Sequence, residues 1–100
     1  MFNIAIVDDN QVFIEHSLSS IKKILFKKNI NGIIETFNNG FSLIENYNKY
    51  DLVLLDIDMP MIDGIQVAEK LNELKSENNS PHIVFVTSKE HLVFDAVLLS

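Results

Sequence analysis

The sequence alternates between short apolar runs and longer segments with a helical period, and this alternation restricts the fold more than any other feature. The apolar runs have the length of β-strands and lie at residues 3–7, 32–37, 52–56 and 82–87. Continuous apolar runs of this length are typical of strands that are covered on both faces. Strands that are separated by helices need crossover connections. The pattern therefore predicts a doubly wound α/β fold, in which a parallel sheet carries helices on both faces.

The segments between the predicted strands have the pattern of helices. In the first helix, which Asn10 can cap, one apolar face recurs at spacings of four, three and four residues: Ile14, Leu18, Ile21 and Leu25. We expect a short second helix over about 41–48, and a third helix that starts near Gly64 and runs to about residue 77. Residues 90–99 are expected to begin a fourth helix.

Composition excludes several classes of protein. The chain has 100 residues, the size of one domain, and its formal net charge is −6. All eight basic residues are lysines, and the cluster Lys22, Lys23, Lys27 and Lys28 is interpreted as a solvated helix face. This balance argues against direct nucleic-acid binding, which needs cationic surface. No apolar run approaches the roughly 18 residues of a membrane span, and the absence of cysteine fits a cytoplasmic protein.

Polar side chains follow the apolar runs at the point where each strand ends. Asp8 and Asp9 follow the first strand, Asp56 ends the third strand, and Thr87 ends the fourth strand. Because ligands of open parallel sheets bind outside the carboxyl ends of the strands, we expect these residues to meet at one edge. Clustered carboxylates repel one another unless a cation neutralises them, and Mg²⁺ prefers oxygen ligands. A carboxylate can also act as the nucleophile in phosphoryl transfer.

With these residues in place, the chain resembles the receiver domains of two-component response regulators. The resemblance rests on the acidic pair Asp8–Asp9, on Asp56 at the end of the third strand, on "MPMIDG" at 59–64 and on Thr87. It implies a flavodoxin-like sheet with strand order 2-1-3-4, with the whole of residues 1–100 as one receiver domain. The tail "FVTSKEHLVFDAV" also resembles receivers that precede LytTR-type DNA-binding domains.

The resemblance implies a role for each residue of the site. Asp56 would be the phosphoacceptor, and Thr87 would be the switch hydroxyl. Asp9 would bind Mg²⁺ directly, Asp8 would act more through water, and Asp56 and the backbone carbonyl of Asp58 would complete the ligands. A sensor histidine kinase would donate the phosphoryl group. Phosphorylation would switch output or dimer contacts and so control transcription through a DNA-binding domain. The chain would be a switch and not an enzyme beyond its own phosphotransfer and dephosphorylation.

The sequence departs from the receiver pattern at its carboxyl end. Receivers have a fifth strand, preceded by a lysine, and a fifth helix, and we expect all three to be absent from residues 1–100. Lys89 lies two residues after Thr87 and does not match the lysine of the motif. Without the last strand and helix, the edge of the fourth strand and apolar surface of the first helix would be uncovered. We therefore expect self-association through that surface.

Two other functions are compatible with parts of the pattern. A phosphatase similar to the haloacid dehalogenases would also use the "DxD" of Asp56 and Asp58, but that motif has Thr or Val where this chain has Pro60. The chain is also short for the remaining motifs of that family. The second alternative is a phosphorylation-independent interaction module with a receiver fold.

Several residues near the motifs have simpler interpretations. Asp63 and Gly64 are expected to cap and start the third helix, and Met59 and Met61 to pack in the interior. Asp58 and Lys89 are hypothesised to face each other across the site. The histidines are interpreted as surface or strand-end residues. Five phenylalanines lie at core-like spacings and are expected to be buried: Phe13, Phe26, Phe37, Phe85 and Phe94.

Overall fold

A computed structural model of the chain describes residues 1–74 and 81–86 and the backbone of residues 97–99. Within these residues the strands form one sheet, in the order β2-β1-β3-β4-β5. The strands are β1 (Phe2–Val7), β2 (Gly32–Phe37), β3 (Leu52–Asp56), β4 (His82–Val86) and β5 (Val97–Leu99). The strands β1 to β4 are parallel to one another, which confirms the predicted doubly wound sheet and its order 2-1-3-4.

Three α-helices lie between the strands in the part of the chain that the structure describes. They are α1 (Gln11–Lys27), α2 (Gly40–Ile44) and α3 (Gly64–Leu74). The predicted second helix over 41–48 is shorter than expected, because the chain leaves the α-helix at Ile44 and forms a separate 3₁₀ turn at Tyr47–Lys49. The predicted end of the third helix near residue 77 lies outside the described residues, within which α3 reaches Leu74.

The main core lies between the sheet and the helices α2 and α3. Alternate residues of the inner strands face this side, among them Val7, Val53 and Leu55, which are at most 1% exposed. They form one apolar cluster with Leu43 of α2 and with Val67, Ala68 and Leu71 of α3. Phe37 and Tyr50 close one end of the cluster with an edge-to-face ring contact at a centroid distance of 5.8 Å.

The opposite face of the sheet carries α1. Ile4 and Ile6 of β1 point to this side and are buried, as is Ile14 of α1. The predicted apolar face of α1 is confirmed, because Ile14 is buried and Leu18 is half-buried. The helix packs on β1 and β2. Over β3 and β4, by contrast, Leu54 and Val84 of this face are only half-buried.

The end of the chain differs from the sequence-based expectation. Residues 97–99 were expected to lie in a helix, and the sheet was expected to lack a fifth strand. Instead these residues form β5, which pairs antiparallel with β4 from Ile83↔Leu99 to Phe85↔Val97. The expectation of an uncovered edge on β4 is therefore wrong over residues 83–85. Ten residues separate β4 from β5. A parallel crossover needs about a dozen or more, so a connection of this length favours the antiparallel pairing.

Only some of the phenylalanines that were expected to be buried lie in the core. Phe85 is buried and Phe37 packs against the core, as expected, whereas Phe94 lies outside the described residues. Phe26, however, is 88% exposed, and Phe13 is 37% exposed. Both spacings resembled those of core positions, but Phe26 lies on an outer flank of α1. In the part of the chain that the structure describes, no helix is long and apolar enough to cross a membrane.

Candidate functional site

The carboxyl edge of the sheet brings three aspartates together. β1 and β3 pair in parallel with Val7 beside Leu55, so that Asp8 and Asp56 follow at the same level on neighbouring strands. Carboxylate oxygens of Asp8, Asp9 and Asp56 all lie within 4.8 Å of one another. Asp56 is 3% exposed, Asp8 is half-buried and Asp9 is exposed. The site therefore opens to solvent on the side of Asp9 and has Asp56 at its base.

The start of α1 fixes the loop that carries the acidic pair. The side chain of Asn10 caps α1 by accepting hydrogen bonds from the backbone N–H groups of Val12 and Phe13, at 3.0 and 3.4 Å. The backbone N–H of Asn10 in turn donates to Oδ1 of Asp8, at 2.9 Å. The capping residue that was predicted from sequence thus also orients the first carboxylate of the cluster.

The environment of the cluster disfavours ionised carboxylates in the absence of a cation. Burial, followed by the negative charges of Asp8 and Asp9, raises the pKa of Asp56 from its ordinary value of 3.8 to about 7. Burial also raises the pKa of Asp8, and the hydrogen bond from the Asn10 backbone opposes this shift. The charged forms of Asp8 and Asp56 are therefore both disfavoured at the positions where the fold holds them.

A divalent cation would relieve this repulsion, and the donor set fits one. Hard cations such as Mg²⁺ bind to carboxylate and carbonyl oxygens and keep several waters, which the exposed side at Asp9 can supply. The three carboxylate ligand atoms are close enough together for one ion to contact them all. The group Asp8, Asp9 and Asp56 could thus hold a metal ion.

The loop after Asp56 turns sharply beside the site. The backbone N–H of Asp58 donates to Oδ1 of Asp56 at 3.3 Å, and the N–H of Ile62 donates to the carbonyl of Pro60 at 2.8 Å. Met61 lies between Pro60 and Ile62 and has a φ of 71°. Pro60, Met61 and Ile62 therefore form a γ-turn of the rare, strained type. Met59 is buried as predicted, but Met61 is 89% exposed, so its predicted packing role is wrong.

Asp63 and Gly64 close this loop onto α3. The backbone N–H of Gln66 donates to the Asp63 carboxylate at 2.8 Å, and the Gln66 side chain accepts from the Asp63 N–H at 2.9 Å. This reciprocal pair confirms the predicted cap of α3. Gly64 has a second role that the sequence did not reveal. A Cβ atom at this position would collide with the carbonyl oxygen of Asp56, so a glycine is needed where α3 meets the end of β3.

The remaining predicted site residues lie at the margin of the described residues or beyond it. Asp58 is exposed, and its backbone lies next to Asp56 through the 3.3 Å hydrogen bond. Val86 pairs with Asp56 across β3 and β4, so Thr87 directly follows a residue that is level with the acidic cluster. Thr87 and Lys89 lie outside the described residues. The switch role of Thr87 and the Asp58–Lys89 pair therefore stay predictions.

Comparison with known proteins agrees with the observed fold. The family model for the response regulator receiver domain matches residues 4–98. The chain is 34% identical over 77 residues to the sensory transduction protein LytR of Staphylococcus epidermidis, covering 72% of this chain and 29% of LytR. The chain thus spans less than a third of the length of this relative.

Solved structures give the same assignment. The complex of CheX, CheY, BeF3 and Mg from Borrelia burgdorferi matches with a TM-score of 0.59 and 31% identity, covering 92% of this chain and 67% of that one. The complex of the histidine kinase ThkA with the response regulator TrrA matches with a TM-score of 0.64 and 29% identity, covering 95% and 76%. The chain belongs to the receiver-domain family of two-component response regulators.

Proposed function

We propose that residues 1–100 form a single receiver domain in which Asp56 is the phosphoacceptor. The observation that supports this most directly is the burial of Asp56 at the end of β3, with carboxylates of Asp8 and Asp9 within 4.8 Å. Membership of the receiver family supports a signalling role rather than a hydrolase. Phosphorylation of Asp56 would then be the event that carries the signal.

The transfer itself requires an ionised nucleophile. In the proposed step, a carboxylate oxygen of Asp56 attacks the phosphorus of a phosphohistidine. An O–P bond forms, the N–P bond breaks, and the electron pair remains on the imidazole nitrogen, which takes a proton from solvent. Since the pKa of Asp56 is raised to about 7, a neighbouring positive charge would increase the fraction of reactive carboxylate.

We propose Mg²⁺ as the source of this charge. Asp9 and Asp56 would bind the ion directly, Asp8 would act mainly through water, and the backbone carbonyl of Asp58 would complete the protein ligands. When bound, the ion would neutralise charge on the phosphoryl oxygens. The CheX–CheY complex of Borrelia burgdorferi, which contains both Mg and BeF3, supports this choice.

The partner and the output follow from the same family. A sensor histidine kinase is the proposed phosphodonor, and the ThkA–TrrA complex supports such a pairing. We propose Thr87 as the switch hydroxyl that responds to the phosphoryl group and changes contacts with an output domain. The LytTR-like tail and the similarity to LytR support an output that controls transcription.

Beryllofluoride, a mimic of the acyl phosphate, provides the test. Mg²⁺ and beryllofluoride would be added in turn to the ¹⁵N-labelled chain, and the amide spectrum would be recorded. We expect shifts at Asp9, Asp56 and the residues after β4, and we expect Asp56→Asn to abolish the response to beryllofluoride. Acetyl phosphate should add one phosphoryl group to the wild-type chain, as measured by mass spectrometry.

Asp51→Asn is the matched control, because it makes the same change at the other end of β3, where Asp51 accepts a hydrogen bond from the Asn3 backbone at 2.8 Å. This variant should respond like the wild type. Shifts with Mg²⁺ but none with beryllofluoride would contradict the proposed phosphotransfer and favour the phosphorylation-independent interaction module.

We also propose that the chain associates with itself. The support is the amount of exposed apolar surface, which includes Val12 and Phe26 on α1 and Phe41 on α2. Sedimentation of the wild-type chain over a range of concentrations tests this part of the proposal. A monomer at every concentration would contradict it without affecting the assignment of Asp56.

A further inference from the structure

Phe26 is the feature of the molecule that the phosphoacceptor site leaves unexplained. This phenylalanine lies at the C-terminal end of α1 and is 88% exposed. Lys22 and Lys23 precede it by four and three residues and therefore lie on the same flank of the helix. We name Lys22, Lys23 and Phe26 the ridge. Within the described part of the chain, no carboxylate forms an ion pair with the ridge lysines.

A groove of matching chemistry lies on the other face of the sheet, between α2 and α3. Its volume is about 420 Å³, which is in the range of binding pockets. Its floor is apolar and consists of Phe41, Ile44 and Ile62, and its wall on α3 is polar, with Gln66, Glu69 and Glu73. Phe41 is 49% exposed, so the floor is open to a partner.

The charges of the groove complement those of the ridge. Glu69 and Glu73 contribute two carboxylates, and Lys70 contributes one ammonium group, which lies 3.5 Å from Glu73. The wall therefore has a net negative charge, whereas the ridge has two lysines beside its aromatic ring. An aromatic ring that enters an apolar floor while cations meet the acidic wall would bury both exposed apolar surfaces.

We propose that the ridge of one copy of this chain docks into the groove of a second copy. The two surfaces of one molecule cannot meet, because α1 lies on one face of the sheet and α2 and α3 lie on the other. The contact is therefore intermolecular and heterologous, meaning that each copy offers a different surface. Such contacts join molecules head to tail and extend beyond a dimer unless a ring closes. This inference rests on the proposed self-association and is independent of phosphotransfer.

Complementary variants test this arrangement. Phe26→Ser removes the aromatic ring of the ridge and keeps the groove, whereas the double variant Glu69→Lys with Glu73→Lys reverses the charge of the wall and keeps the ridge. All three positions are exposed, so both variants should fold, which circular dichroism would verify. We expect the wild type to form oligomers of increasing size with concentration, and each variant alone to associate at least tenfold more weakly.

The decisive sample is an equimolar mixture of the two variants. It contains one intact ridge and one intact groove, so light scattering should show a complex of one molecule of each variant that does not grow further. Ile24→Ser is the matched control, because Ile24 is exposed on the opposite flank of α1 and should not affect association. All variants should keep the response to Mg²⁺ and beryllofluoride, which separates this inference from the phosphoacceptor assignment.

Four outcomes would overturn the inference. A wild-type chain that stays monomeric would exclude a second copy as the occupant of the groove. Unchanged association of both variants, or its loss in Ile24→Ser, would place the contact on another surface. A mixture that remains monomeric would show that the ridge and the groove do not bind each other.

Discussion

Leu55 and Asp56 are neighbours on β3, and they belong to two regions with opposite effects on stability. Leu55 is fully buried in the cluster that α2 and α3 form with the sheet. Asp56 is 3% exposed, yet it lies among other carboxylates, and its pKa is raised to about 7. The core gains free energy from burial, whereas the acidic edge loses free energy whenever all its groups are ionised. The comparison shows that the apolar core holds in place a site that would not assemble by its own interactions.

The largest effect is expected from the core side of this comparison. Leu55→Ala would leave a cavity at a position that is 0% exposed, and we expect it to lower the free energy of unfolding by about 2–5 kcal/mol. Urea denaturation followed by circular dichroism measures this. Leu54→Ala is the matched control, because Leu54 is half-buried on the other face of β3 and should cost less. An equal loss for both variants would contradict the assignment of the main core to the α2–α3 face.

Metal addition should convert the contribution of the acidic edge to folding stability from unfavourable to favourable. At pH 8, Mg²⁺ at about 100 times its dissociation constant is expected to stabilise the folded chain by about 2.7 kcal/mol, because the folded state alone assembles the ligands. The melting temperature with and without Mg²⁺ measures this gain. Asp9→Asn removes an exposed carboxylate of the cluster and should reduce it. An identical gain in Asp9→Asn would show that the ion binds elsewhere.

Without metal, replacing Asp56 should stabilise the protein at alkaline pH. The folded state holds the Asp56 proton up to a pKa of about 7, whereas the unfolded state releases it near 3.8, so stability falls as the pH rises between these values. In the presence of a chelator, Asp56→Asn should therefore raise the free energy of unfolding at pH 8 and leave it nearly unchanged at pH 4. Denaturation curves at both pH values test this. A gain that is independent of pH would contradict the electrostatic explanation.

The sequence predicted those parts of the molecule that depend on local pattern and on parallel topology. The strand at residues 32–37 was placed with its observed bounds, since a run of β-branched residues ending before Gly40 has few alternatives. The meeting of Asp8, Asp9 and Asp56 followed from one rule, that the carboxyl ends of parallel strands share an edge. The strand order came from the family resemblance and not from the periodicity.

The sequence did not predict features that depend on contacts between distant residues. The short connection between β4 and β5 favours their antiparallel pairing, whereas residues 90–99 alone have an apolar pattern that also fits a helix. The exposure of Phe26 depends on which flank of α1 faces the sheet. The need for Gly64 arises from the backbone of Asp56, eight residues away, which composition does not reveal.

Two methionines of the loop after Asp56 repeat the comparison between core and site on a smaller scale. Met59 is 6% exposed, whereas Met61 is 89% exposed and has a φ of 71°. A side chain in that conformation is strained, and glycine removes the strain but increases the entropy of the unfolded chain. Because the Met61 side chain makes little packing contribution, we expect Met61→Gly to raise the free energy of unfolding by roughly 0.5–1 kcal/mol.

Met59→Gly is the matched control and should instead destabilise the protein by at least about 2 kcal/mol, because it removes a buried side chain. Urea denaturation of both variants, in the presence of a chelator, measures the difference. If Met61→Gly also destabilised the chain, the positive φ would have to be compensated by contacts of the Met61 side chain. The loop would then belong energetically to the core and not to the strained edge that holds the carboxylates.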